Sequence, residues 1–339
     1  MRLIFIATAV LMNVFFACGR TGEGIPDIPG AGLSGHYAAV LDGVLTVAGG
    51  ANFPDRPPYE GGKKAFYADI LTLEGGEWKT SGALPAGSAY GAFASSGEKL
   101  FVAGGAGGNG ETATFVYVSL KGGKAEVFDL PALPAAVQQC GGAVEGDYFY
   151  LAGGFNAGGP FTDVMRFDFK ENAWQVLAQL PEPMVQPVVA VRNGVLYVWG
   201  GFNPDEKKAL DYGYRFADGR WGRIPGLPDG GTMTGSAYAV SDARLYVTGG
   251  VDADVFNAAI ALPPEKIREY QTRPVEYYNF RKDVYCFDFE TELWSLVAAG
   301  CNGTARAGAA CVVSDGMLIN VNGELKPVVR SSEITCLKL

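Results

Sequence analysis

The residues with the most evident chemical potential are Glu324 and Arg330, in the stretch NGELKPVVRSSE. Glu324 follows an Asn-Gly pair at a position where five earlier segments carry Gly-Gly followed by Ala51, Ala106, Phe155, Phe202 or Val251. A carboxylate at an otherwise apolar position is either a functional group or half of a local salt bridge with Lys326 or Arg330. Gln139 and Gln186 share one register, and Arg306 precedes a strand; each offers hydrogen bonds to a ligand or to loop backbone. His36 is the sole histidine, so no His-pair metal site can form and a Ser-His-Asp triad would hang on one side chain. Phe53, Tyr59, Phe155 and Phe202 suit the apolar faces of a sugar ring, and equally suit packing within loops. P-loop, GxSxG and HExxH motifs are absent, and nothing in the residue set calls for a metal or cofactor.

Composition narrows the partners. A net charge of −9 argues against a nucleic-acid groove, which needs a basic footprint. The first residues, MRLIFIATAVLMNVFFACGR, read as a secretory leader over 1–17, too short for a comfortable membrane span. Its FFAC ending resembles a bacterial lipobox with Cys18 as the acylated residue, which predicts an envelope lipoprotein; an ordinary cleaved leader is the alternative. Cys140, Cys286, Cys301, Cys311 and Cys336 form no CxxC pair. Several fall in strand-like runs, where a buried thiol behaves as a small hydrophobe.

The elements that must position these residues are repeats. Six segments share a small-residue run, an apolar strand, a turn, a second strand and a diglycine: SGHYAAVLDGVLTVAGG, AYGAFASSGEKLFVAGG, QCGGAVEGDYFYLAGG, QPVVAVRNGVLYVWGG, GSAYAVSDARLYVTGG and GAACVVSDGMLINVNG. The closing glycines are Gly50, Gly105, Gly154, Gly201, Gly250 and Gly323. Most intervals approach the ~50-residue kelch period. A third strand follows each diglycine, then commonly a fourth bearing Trp78, Trp174, Trp221 or Trp294. This predicts an all-β, six-bladed propeller over 18–339, four strands per blade. The sixth blade lacks a fourth strand, which Gly22 to Ile28 are expected to supply, closing the ring with strands from both ends. The loops between second and third strands are the elaborate ones, so a ligand site is expected at that mouth of the channel. The longest, from Val251 to Lys282, is expected to hold a short helix from Pro264 to about Gln271. Its cations Arg268, Arg273, Arg281 and Lys282 are offset by acids.

GGANFPDRPPYEGGKKAFYADI, YVTGGVDADVFNAAI, YYNFRKDVYCFDFETELW and NGELKPVVRSSEI together resemble the bacterial N-acetylneuraminate epimerases, sialic-acid mutarotases on six kelch blades. The order is rotated, with NGE…R last rather than mid-chain, which resembles a cyclically permuted branch. A glycine usual before the arginine is replaced in KPVVR, and the following Thr is Ser331. The resemblance implies an isomerase that interconverts the α and β anomers of N-acetylneuraminate through the open-chain keto form, without a cofactor. It implies Glu324 as the acid/base and Arg330 as the clamp on the sugar carboxylate. It turns Asn52, Tyr59, Lys63 and Lys64 on the first elaborate loop into candidate substrate contacts, beside Gln139, Gln186 and Arg306. A non-catalytic propeller that binds a glycan or protein at the cell envelope is the alternative, since the fold serves both roles.

Overall fold

The computed structural model describes residues 25–241 and 243–339. The expected leader, Cys18 and residues 22–24 lie outside them. Six antiparallel sheets stand in a ring as a six-bladed β-propeller. The innermost strands are Tyr37–Leu41, Ala92–Ser95, Gly141–Glu145, Val188–Arg192, Ser236–Ser241 and Ala310–Ser314, each packed on its neighbours round the channel. The second strands are buried almost throughout, whereas the outermost alternate toward solvent. The core therefore lies between blades: Phe101 and Phe115 of blade two pack on Phe149 and Phe167 of blade three.

The diglycines have a backbone reason. Both residues of each pair are left-handed, with φ of 64° and 100° at Gly49 and Gly50. A Cβ on Gly49 would come within 2.4 Å of the Ser88 carbonyl, so only glycine fits where the chain turns against the next blade. Blade six replaces the first glycine by Asn322 at φ 49°, a residue that tolerates this region. The N–H of the second glycine then reaches the next blade's incoming link: Gly50 donates to Ser88, Gly105 to Val137, and Gly323 to Leu33 across the closure.

Blade six is a three-stranded sheet of Ala310–Ser314, Met317–Val321 and Ile334–Lys338. Residues 25–28 take the fourth place without forming a regular strand there. The Ile28 N–H donates to the Ser332 carbonyl at 3.0 Å, and Ile25 and Ile28 pack into the core between blades six and one. The tryptophans mark the equivalence. Trp174 and Trp221 donate from Nε1 to Pro131 and Gln179 at the outer edge of the preceding blade, and Trp78 donates to Pro26 at 2.8 Å.

The elaborate loops carry small two-stranded ribbons, such as Ala51–Asn52 with Ala65–Phe66 and Glu324–Lys326 with Val329–Arg330. Blade five instead inserts two helices, α1 (Ala253–Ile260) and α2 (Pro264–Gln271). The second matches the sequence expectation. The first does not appear in it, although Asp252 caps α1 by accepting from the Val255 N–H at 3.0 Å. Cys140, Cys286, Cys311 and Cys336 are free and buried, as small hydrophobes would be.

Candidate functional site

Just before each inner strand the chain passes through one left-handed residue: Gly35, Tyr90, Gln139, Gln186, Gly235 and Gly308, with φ from 55° to 68°. Their peptide groups form a belt round the channel mouth. Tyr90 donates to Gly35, Gln139 to Tyr90, Gln186 to Gln139, Gly308 to Gly235 and Gly35 to Gly308, at 2.6–2.9 Å. Three blades use glycine here, as the backbone prefers. The other three hold a side chain at a cost of about 1–2 kcal/mol each, and all three of those side chains line the cavity the belt encloses. Tyr90 is the member that sequence reasoning missed. Its register with Gln139 and Gln186 was the available signal, obscured by the glycines that hold this place in blades one, five and six.

The cavity has a volume of about 570 Å³, within the range of small-molecule sites. Phe93 and Tyr238 form its floor, and both also line a second cavity of about 280 Å³ at the opposite end of the channel. The Tyr238 hydroxyl crosses from blade five to blade three, where it accepts from the Gly142 N–H at 3.0 Å and donates to the Gly142 carbonyl. The roof is apolar: Phe256 and Ile260 of α1, Ile267 and Tyr270 of α2, then Phe280. It is held at both ends. Asn257 accepts from the Ala209 N–H at 2.7 Å, and Phe256 meets Phe202 edge-on at 5.2 Å. At the other end Lys326 Nζ donates to the Arg273 carbonyl at 2.7 Å, just past α2.

Glu324 is the sole charged side chain on the lining among the described residues. It sits directly across its ribbon from Arg330, and Arg330 Nη2 pairs with Glu324 Oε1 at 2.7 Å. The two are unequally accessible: the Glu324 side chain is 21% exposed and that of Arg330 3%. Arg330 therefore lies behind the wall rather than on it, with its guanidinium over the Phe53 ring at 5.1 Å and Nη2 at 3.4 Å from the Tyr90 hydroxyl. Its Nε and Nη1 are buried without partners among the described residues. Lys64 adds a second cation, at 4.9 Å from the Tyr90 ring centre and 5.7 Å from that of Phe53. Tyr270 on the roof is close enough to Glu324 to feel its charge; burial first, then Tyr278, Tyr277 and Glu324, push its phenol pKa well above the ordinary value.

The remaining candidates divide. Gln139 and Gln186 line the cavity and meet each other, Gln186 Nε2 donating to Gln139 Oε1 at 2.8 Å. His36 also lines it, almost wholly buried, with no hydrogen-bond partner on either ring nitrogen among the described residues. Burial pulls its pKa down to about 4, the backbone at Val321 opposing, so the ring is neutral at pH 7. Asn52 does not reach the cavity. Its Nδ2 donates to the Gly32 carbonyl at 2.9 Å, in the segment leading into blade one, and its Oδ1 accepts from the Tyr67 hydroxyl at 2.8 Å, just past the ribbon. Arg306 is likewise committed, to Glu333 at 2.6 Å. Tyr59 stands in the turn Pro58–Glu60 beside Tyr278, off the lining, and Lys63 is exposed. Two of the blade-five cations are spent on ion pairs, Arg273 with Glu269 and Arg281 with Asp229.

Residues 130–339 match the family model for N-acetylneuraminate epimerase, well over half of the chain. The chain belongs to the N-acetylneuraminate epimerase family. It is similar to proteins named N-acetylneuraminate epimerase from Pasteurella multocida (28% identical, covering 65% of this chain and 62% of the relative) and Haemophilus influenzae (29%, 60% and 57%). The one from Escherichia coli O9:H4 is 27% identical, with coverage of 66% and 64%. The chain thus spans about three-fifths of the length of the curated epimerases it matches. Its share of the family model takes in blades three to six, and with them Glu324, Arg330, Gln139, Gln186 and both roof helices.

Proposed function

We propose that this protein is an isomerase that interconverts the α and β anomers of N-acetylneuraminate or a close sugar acid. The observation that carries the reading is the placement of one carboxylate, Glu324, on the wall of an otherwise uncharged cavity with a buried arginine fixing it from behind. Anomer exchange needs a proton to leave the anomeric hydroxyl as the C2–ring oxygen bond breaks, and a proton to arrive at the ring oxygen. One carboxylate can take the first and deliver it as the second, then reverse both steps after rotation about C2–C3. Proton count and charge balance without a metal or redox partner.

Arg330 then has two tasks. Its Nη2 holds Glu324 in place, and its two unpartnered nitrogens remain for the sugar's own carboxylate. Because Arg330 is off the lining, the sugar carboxylate reaches it only when the Glu324 side chain or the Phe53 ring gives way. Arg330 and Lys64 together offset the negative charge that Glu324 would present to an acidic ligand. The rotated order of blades also accounts for a linear family match that begins at residue 130, since a cut ring leaves one contiguous block in register.

The test is anomer-exchange NMR on N-acetylneuraminate. The protein is expected to accelerate α/β exchange far above the buffer rate at low micromolar concentration. Binding of the sugar without acceleration would assign the protein to the non-catalytic, glycan-binding reading instead.

A further inference from the structure

The belt residues on blades three and four hold the least explained polar atoms of the cavity. Gln186 Nε2 donates to Gln139 Oε1 at 2.8 Å, which uses one half of each side-chain amide. The other halves, Gln139 Nε2 and Gln186 Oε1, have no partner among the described residues, and both side chains line the cavity. Were both amides turned over, the pair would still leave one NH₂ and one carbonyl oxygen. Both residues hold this place in left-handed backbone, at φ 55° and 59°, where three other blades use glycine. Blade three stands half-way round the ring from blade six and its Glu324.

From this pairing we infer that Gln139 and Gln186 form a subsite for a secondary amide, an N-acyl substituent on the ligand. The free NH₂ of one glutamine donates to the acyl carbonyl oxygen, and the free carbonyl of the other accepts the acyl N–H. A hydroxyl can also accept and donate, but only from a single oxygen, whereas the amide presents its oxygen and its N–H on separate atoms to the two separate glutamine groups. The pair therefore favours the amide. The inference rests on the sugar-acid reading of the site and adds which end of the ligand lies away from Glu324: the reacting centre at blade six, the acylamino group at blades three and four. These are specificity residues, with no part in the proton transfer.

The experiment measures dissociation constants by calorimetry for two probes, N-acetylneuraminate and its counterpart with a hydroxyl in place of the acetamido group. The proteins are the full chain and its Gln139→Gly and Gln186→Gly variants. Glycine is chosen because Gly35, Gly235 and Gly308 occupy the same backbone conformation in other blades, so the variants keep the belt. The unaltered chain is expected to prefer the N-acetyl sugar by about tenfold or more, and each variant to bring that preference within about twofold of unity. Equal binding of both probes to the unaltered chain, or an undiminished preference in both variants, overturns the amide subsite and leaves the sugar-acid reading standing. Failure of both sugars to bind overturns both readings.

Discussion

The two ends of the channel are built from one repeat and offer a ligand very different surfaces. At the opposite end, short turns leave a cavity of about 280 Å³ lined by inner-strand residues such as Ala38, Ser95 and Val144. At the mouth, a cavity of about 570 Å³ carries Glu324, His36, Tyr90 and the glutamine pair under an apolar roof. Phe93 and Tyr238 separate them. The blade framework dictates the inner strands along the whole channel and the diglycines at its mouth. Chemistry therefore gathers where that framework leaves the chain free: in the ribbons after the diglycines, at the belt residue, and in the blade-five insertion.

Substitutions can break this contrast, beginning with the largest effect. Glu324→Gln keeps shape and removes the proton carrier, and is expected to lower catalysed anomer exchange by about 10²–10⁴-fold; NMR exchange rates measure it. Tyr238→Ala removes one of the two side chains that separate the cavities and leaves the Gly142 peptide without its hydroxyl partner. A loss of about 3–5 kcal/mol in unfolding free energy by denaturant titration is expected.

His36 gives a pH signature of the same order. Its folded pKa of about 4 lies below the unfolded value of 6.5, so the unfolded chain binds the extra proton between them. Stability from this group is complete above pH 6.5 and is lost as pH falls toward 4, by about 3 kcal/mol. His36→Phe is expected to flatten that part of the stability-versus-pH curve, read by urea midpoints at several pH values. Phe256→Ala, which thins the roof without touching Glu324, is expected to raise KM about tenfold with a smaller change in kcat. Ser95→Ala, in the opposite cavity, is expected to leave both constants within twofold.

What the sequence disclosed follows from which residues the backbone constrains. The diglycines were legible because two consecutive left-handed residues admit little but glycine, and the one departure, Asn322, is of a type that tolerates this region. The outer tryptophans were legible as a repeat. Trp78, Trp174 and Trp221 each donate to the segment before their blade, whereas Trp294 Nε1 finds no partner among the described residues. Trp78 with Pro26 explains how residues 25–28 stand in for a strand. Helix α2 announced itself with Pro264, whereas α1, of the same eight-residue length, has no such signal and its Asp252 cap follows closely on a diglycine turn. Site residues were harder, because register gives position and not direction. Asn52 lies one residue past the blade-one equivalent of Glu324, and strand alternation turns it into the ribbon instead of the cavity. Arg306 lies beside the belt and is drawn down to Glu333. Tyr90 shares the glutamines' register, yet the position holds three glycines and two glutamines in the other blades, so a lone tyrosine there carries no repeat signal of its own.

The central claim is that Glu324 meets the anomeric centre of a sugar acid in the mouth cavity. A crystal structure of the Glu324→Gln protein with N-acetylneuraminate tests it most directly. The account predicts the sugar under α1 and α2, with its anomeric oxygen within about 3 Å of the residue-324 side chain and its carboxylate on Arg330. A sugar bound in another cleft, or in this cavity with its anomeric carbon turned away from residue 324, would contradict it.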